Sequence, residues 1–517
     1  GSFSTIQPSI DINQPLGDKV AARIAAEYTD ADDAIDAVST KRITISPSLR
    51  IGFDDTSLVL RVNYNRIEQL EYSGLPFAMA GYPGVNPFHF TGAKNGPKTK
   101  IENLALTGVF THRLSDNVTA QIRVRSYQNK TTEHGSFPYL AFYPPVGTVY
   151  PIITAYMPDV TIDEMTFDGS LTGTFSTGGI EHVLIAGAQY DRVDYHGAMG
   201  FNLFPVGFLD YADPDSDVPF GSETYPTDKY VNTYRTIGLY AQDQITIGGR
   251  LHVLAGLRYS RLESTEGFNG IFSPKHSFNR VDPRVGVTFD VTDGVALFAG
   301  YATGSRASIF FNPLVVPTSP ETSKSWEGGL KFALRDAGLS GTIAAFRQTR
   351  NNVPLVDPFG TTRQVGQQRS KGLEADLIWE PTKSFSLLAS YAYTRAQISK
   401  DDFNPANVGQ NLTRVPEHGG RIAARYRFLD GALKGFGLGA GMTAASGAYT
   451  TLPNNDKTGG YAVFDAQASY ETGPFRFSAT VTNLTNKLYF QPYLYLNQSV
   501  VRPGTPRSAF VTLSVKY

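Results

Sequence analysis

The sequence predicts an all-β fold, a transmembrane antiparallel β-barrel with 21 strands in this chain of an expected 22. Three observations carry that prediction: alternation of apolar and polar residues along the whole chain, connections that are short and long in turn, and segments of extended pattern longer than those of soluble sandwiches. The alternation is clear at 474–484, where Phe475, Phe477, Ala479 and Val481 oppose Arg476, Ser478, Thr480 and Thr482. At 251–259, Leu251, Val253, Ala255, Leu257 and Tyr259 oppose His252 and Arg258. The last segment sets Ala509, Val511, Leu513, Val515 and Tyr517 against Thr512, Ser514 and Lys516. Strands of this kind have one apolar and one wet face.

The connections discriminate further. Gly/Asp/Asn/Pro clusters of hairpin length lie at 14–19, 53–56, 113–117, 176–179, 246–250, 291–294, 335–338, 380–383, 429–433 and 471–474. Long segments separate them, near 30–40, 70–98, 130–161, 195–228, 264–280, 305–320, 351–362, 399–413, 448–458 and 486–505. A soluble sandwich has no reason to put every long loop at one end. An outer-membrane barrel has short periplasmic turns and long extracellular loops.

Composition narrows the alternatives. No apolar run approaches the roughly 18 residues of a spanning helix, so any crossing of a membrane falls to strands. The chain has 28 Tyr, 33 Phe and no Cys, which suits strands and interface girdles and excludes disulfide and thiolate–metal frameworks. Balanced charge, 46 basic against 47 acidic residues, gives no reason to expect a nucleic-acid partner. The start GSFSTIQPSI has neither the basic head nor the apolar core of a signal peptide.

Several stretches resemble the TonB-dependent siderophore receptors. They are YRTIGLYAQDQITIGGRLHVLAGLRYS (234–260), VDPRVGVTFDVTDGVALFAGYATGSRAS (281–308), SPETSKSWEGGLKF (319–332), GQQRSKGLEADLIWEPTKSFSLLASYAYTRAQI (366–398), TVTNLTNKLYF (480–490) and PGTPRSAFVTLSVKY (503–517). Gly304 and Ser305 depart from the aromatic-bearing version of the second stretch. The resemblance implies a bacterial outer-membrane, multi-pass receptor for a ferric siderophore or similar chelate, energised by the proton-motive force. It further implies a 22-strand barrel closed by an N-terminal plug, with the TonB complex acting on that plug. Lipid, lipopolysaccharide and the barrel-assembly machinery are the other partners it implies, and Tyr517 matches the terminal aromatic read during assembly. No cofactor is expected; the ferric chelate is cargo.

Residues 1–517 read as barrel throughout, with the plug and the first strand expected upstream of Gly1. The last strand follows a long loop and so ends at the periplasm, whereas the first precedes a short turn and so starts outside. Barrels of one bacterial chain have even strand counts. One upward strand is therefore expected before Gly1, leaving a gap between residues 3–12 and 507–517.

No enzyme signature stands out. The eight His residues include no pair at metal-ligand spacing, so no metal site is expected. DPDSD (213–217) begins like a calcium loop but has Val218 where Gly is needed and Thr224 in place of Glu. GFGLGAG (435–441) alternates within a strand and has no helix to follow it. GxSxG, HExxH and Walker patterns do not occur. The long loops are instead rich in aromatics, which suit the organic shell of a chelate. The candidate ligand contacts are Tyr82, Phe88, His89, Tyr139, Phe142, Tyr143, Tyr150, Phe204, Tyr225 and Tyr493. Packing of the loops against themselves, plus an outer girdle, is the competing explanation for such aromatics. Arg123, Arg125, Arg258, Glu327, Lys331 and Glu374 are expected to form polar ladders in the lumen. The rival function is a passive or structural pore without a plug.

Overall fold

In a computed structural model, residues 1–140, 143–213, 215–223, 227–307, 319–356, 362–496 and 498–516 are described. Phe142, Tyr225 and Tyr517 lie outside them. The main sheet contains 22 strands, one of them the two-residue piece Ile271–Phe272, which leaves 21 spanning strands among the described residues. In chain order these are β1 (Ser9–Pro15), β2 (Val20–Asp32), β3 (Ser39–Gly52), β4 (Thr56–Gln69), β5 (Thr99–Ser115), β6 (Val118–Pro138) and β7 (Val149–Thr177). Next come β8 (Ile180–Asp210), β9 (Asp228–Ile247), β10 (Leu251–Phe268), β11 (His276–Thr292), β12 (Val295–Arg306), β13 (Glu321–Leu334) and β14 (Leu339–Val356). The series ends with β15 (Thr362–Trp379), β16 (Phe385–Lys400), β17 (His418–Arg427), β18 (Phe436–Ala445), β19 (Tyr461–Thr472), β20 (Phe475–Thr482) and β21 (Ser508–Val515).

Each strand pairs antiparallel with its neighbours in sequence, as in β10 against β9 and β11. Between β1 and β21 no ladder forms among the described residues. Ser2 hydrogen-bonds across that seam, its N–H donating to the Ala509 carbonyl at 2.8 Å and its Oγ accepting from the Ala509 N–H at 2.8 Å.

The apolar face of each strand points outward. Leu257 is 54% exposed, Leu297 52% and Leu373 52%, a distribution that only a lipid environment explains. The opposite face carries the lumen ladders: Arg125 binds Glu164 at 3.3 Å, Arg258 donates to Gln189 at 2.9 Å, and Lys331 sits 4.8 Å from the Phe298 ring centre. All ten short connections fall where the turn residues put them. At one of these turns Gly338 has φ +59°, and a Cβ there would overlap the Glu380 carbonyl, so glycine is required.

Two long connections are shorter than the sequence suggests. β6 runs to Pro138 and β7 begins at Val149, so much of 130–161 is strand; likewise β8 continues to Asp210. The ladder extends into these segments with shifts in register between Thr131 and Glu133 and between Tyr156 and Thr161. Polar and aromatic residues concealed this extension, because above the membrane a strand needs no apolar outer face.

Candidate extracellular ligand site

Most of the buried apolar side chains lie not within the barrel wall but in a layer of extracellular segments at its upper end. The largest cluster joins Leu75, Met79 and Ala93 from the 70–98 loop to Tyr150, Ile152, Leu209, Tyr211 and Val218 from the β7–β8 projection and its following loop, and to Val501 from the closing loop. Backbone pairing ties the first and last of these together: Leu75–Pro76, Val500–Pro503 and Phe490–Tyr493 form a separate three-stranded sheet. A second cluster packs Ile35, Val38, Leu70, Tyr72 and Phe90 against Phe88 and Tyr493. A third sets Phe137 and Ile153 against Tyr139, Tyr143, Phe201 and Tyr495. Arg502 anchors the closing loop through Asp33 at 2.7 Å.

The described aromatic candidates therefore divide into two sets. Phe88, Tyr139, Tyr143, Tyr150 and Tyr493 pack within the clusters. Tyr150 meets Tyr211 edge-on at 5.0 Å, and Tyr493 lies 6.0 Å from Tyr72. His89 is 1% exposed, its Nδ1 3.8 Å from the Asp36 carboxylate, and burial lowers its pKa. Tyr82 and Phe204 are open, at 45% and 79% exposure. Phe208 and Phe272 share that openness. Phe272 carried no signal in the sequence beyond membership of a long segment.

An acidic centre that sequence reasoning missed lies beneath the layer. Glu71, just past the end of β4, is pushed up to about 8, first by burial and then by the negative charge of Glu133, with side-chain hydrogen bonds to Tyr495 and Glu133. Gly135 makes room for this contact, since a Cβ there would lie 2.8 Å from the Tyr495 hydroxyl and 3.5 Å from a Glu71 oxygen. Three segments of chain thus meet at one carboxyl group. Nothing in the local sequence marks Glu71, because its partners are 62 and 424 residues away. No group of three or more His, Cys, Asp or Glu that could hold a metal occurs among the described residues. Phenol faces and hydroxyls suit a chelate recognised through its organic shell.

A lipid-embedded antiparallel wall, a polar lumen and a folded extracellular layer define an outer-membrane receptor barrel. The sequence model of the family described as "TonB dependent receptor-like, beta-barrel" matches residues 44–484, and the chain belongs to that family. It is therefore a Gram-negative outer-membrane protein of a family of receptors and transporters, not of enzymes. It is similar to the metal-pseudopaline receptor CntO of Pseudomonas aeruginosa, 26% identical over 541 residues that cover 100% of this chain and 74% of the relative. It is also similar to the ferrichrome outer membrane transporter/phage receptor of Escherichia coli, 25% identical with 96% and 70% covered. Among solved structures, the siderophore receptor PiuA of Acinetobacter baumannii superposes with a TM-score of 0.87 at 21% identity, covering 100% of this chain and 80% of that one. The ferric-catecholate import receptor Fiu of E. coli gives 0.86 at 20% identity, with 100% and 80% covered. At these identities the structural likeness speaks for the fold alone.

Proposed function

We propose that this chain is the barrel of an energised receptor that takes up a ferric siderophore or a similar metal chelate. The observation that carries the reading is the folded layer above a polar lumen, with Tyr82 open on the 70–98 loop, Phe204 and Phe208 open on the upper part of β8 and Phe272 open on the short piece Ile271–Phe272. Aromatic faces on a supported surface give a bulky organic ligand area at low entropic cost. Chelate receptors among the relatives support the same class of cargo. In this reading Tyr82 and Phe204 contact the ligand, whereas Phe88, His89, Tyr139, Tyr143, Tyr150 and Tyr493 hold the loops that present them. Uptake in this reading depends on the TonB complex.

Uptake of radiolabelled iron by a deletion strain carrying the complete gene, with and without TonB, tests the reading across a panel of ferric siderophores. Saturable, TonB-dependent uptake of a subset is expected. Equal uptake of every chelate, or unselective sugar flux through the complete protein in liposome swelling, would refute it in favour of a passive pore.

A further inference from the structure

Near the periplasmic edge of the outer wall, a chain of polar side chains interrupts the apolar band. Asp243 of β9 stands directly between Leu184 of β8 and Ala255 of β10. Leu184 is 39% exposed on the lipid side, and Leu239 and Leu257 share that face, so the Asp243 carboxylate points toward lipid. His182 follows Leu184 on the same face of β8, and its Nδ1 donates to Asp243 Oδ2 at 2.8 Å. A carboxylate can only accept, which fixes the proton on Nδ1 and leaves Nε2 as an acceptor. The hydroxyl of Thr177, the last residue of β7, donates to Nε2 at 2.8 Å. Phe175 stacks on the imidazole with ring centres 4.8 Å apart and planes 5° from parallel, which holds its orientation.

A hydroxyl on Nε2 and a carboxylate on Nδ1 is the order that turns a hydroxyl into a nucleophile. His252 also touches a threonine and an aspartate, but the other way round: Thr246 is on Nδ1 and Asp290 on Nε2, both at 3.1 Å, on the lumen face with Arg258. Thr246 is followed by Ile247 within β9, whereas Thr177 is followed by the two-residue turn Gly178–Gly179. These glycines have φ +59° and +84°, as that turn requires, and their N–H groups donate to nothing among the described residues. Free N–H groups beside a nucleophile are the donors that a developing oxyanion needs. Asp243 Oδ1 is buried without a hydrogen-bond partner among the described residues. Stability alone does not account for an ionisable pair in the apolar band with one carboxylate oxygen left bare.

We propose that Thr177, His182 and Asp243 form an esterase site on the outer wall that deacylates glycerophospholipids of the periplasmic leaflet. Thr177 is exposed where the span ends in a short turn, the level of lipid ester groups. The wall above it presents Phe175, Leu171 and Leu184, over which acyl chains lie. Thr177 Oγ attacks the ester carbonyl carbon while His182 Nε2 takes its proton, and the Gly178 and Gly179 N–H groups hold the oxyanion. The carbonyl re-forms, its bond to the glycerol oxygen breaks, and His182 returns the proton to that oxygen. The products are a lysophospholipid and acyl-Thr177. Water, giving its proton to His182, then cleaves the acyl ester, and the fatty acid leaves as the proton returns to Thr177 Oγ. Asp243 is a positioning residue: it holds the tautomer and offsets the charge of the imidazolium. The site lies outside the lumen and is independent of chelate uptake.

The test uses the complete folded receptor in mixed micelles of detergent and phosphatidylethanolamine, with fatty-acid release read by mass spectrometry. A long-chain fluorophosphonate serves as covalent probe, its adduct located by peptide mapping. Release and labelling of Thr177 are expected. Thr177→Ala should abolish both, and His182→Asn should slow release by about a hundredfold or more. Asp243→Asn should lower kcat with KM unchanged, a split that a purely structural role would not give. Thr177→Ser keeps the hydroxyl and should retain release to within about tenfold. His252→Asn, at the reversed arrangement, should leave the rate unchanged. Heat-resistant gel mobility verifies folding, and Thr177→Ala, at an exposed rim position, carries the test should the Asp243 variant not fold. Release unchanged in Thr177→Ala, no adduct on Thr177, or equal turnover of a water-soluble acetate ester would overturn the proposal.

Discussion

Replacing Glu71 by Gln should remove a pH dependence from the extracellular layer. In the closed layer the Glu71 carboxyl holds its proton up to about pH 8; released into water it returns to an ordinary value near 4.5. Closure therefore binds a proton. Its stabilisation is fully present below pH 4.5, falls as pH rises toward about 8, and levels off beyond. The full difference is at most about 5 kcal/mol, part of it belonging to the coupled Glu133. Between pH 6 and pH 9 the loss is about 3 kcal/mol, roughly a hundredfold in the opening equilibrium. Glu71→Gln keeps the shape and hydrogen-bonding capacity without the charge. Hydrogen–deuterium exchange of peptides from 70–98 and 486–505, compared between wild type and variant at the same pH, cancels the intrinsic pH effect on exchange. The wild type should lose protection relative to the variant on going from pH 6 to pH 9. Equal protection of both proteins at both pH values would refute the reasoning and place Glu71 in water.

Ile152→Ala empties a fully buried position in the loop layer and should cost that layer about 2–4 kcal/mol, read as faster proteolysis of the 70–98 loop. Heat-resistant barrel mobility should not change, because strand pairing holds the wall independently. Leu257→Arg places a cation on the lipid face about a third of the way along β10 and should destabilise the barrel folded into vesicles by about 2–4 kcal/mol, measured by urea titration. Tyr82→Ala and Phe204→Ala should each weaken chelate binding about tenfold with loop protection intact, since exposed rings support little packing. Gly135→Ala crowds the Tyr495 hydroxyl and should loosen the closing loop, seen as lost exchange protection at 490–503.

The alternation at 251–259 and 474–484, together with hairpin clusters such as 246–250, determined the strands and their order, because each signal is local. Side-chain period fixes which face is apolar, and turn chemistry fixes where the chain reverses. The same alternation separated lumen residues such as Arg258 from lipid-facing ones such as Leu257. Above the membrane that information fades. Once both faces of a strand are wet or covered by loops, no apolar stripe is required, and the upper reaches of β6, β7 and β8 read as loop.

What the loop aromatics do was likewise beyond the sequence. Tyr150 and Phe204 look alike as residues in long connections, yet one is 2% exposed and the other 79%. That difference depends on partners such as Tyr211 and Val501, brought together by pairing between Leu75 and Val501 across more than four hundred residues. Register works the same way: Arg347 of β14 faces Lys371 of β15, and Lys371 faces Arg395 of β16, three separate charges in sequence that become neighbours only through strand pairing. Sequence determined each strand's two faces; tertiary structure decided which distant side chains share a surface, because burial and electrostatics act through space and not along the chain.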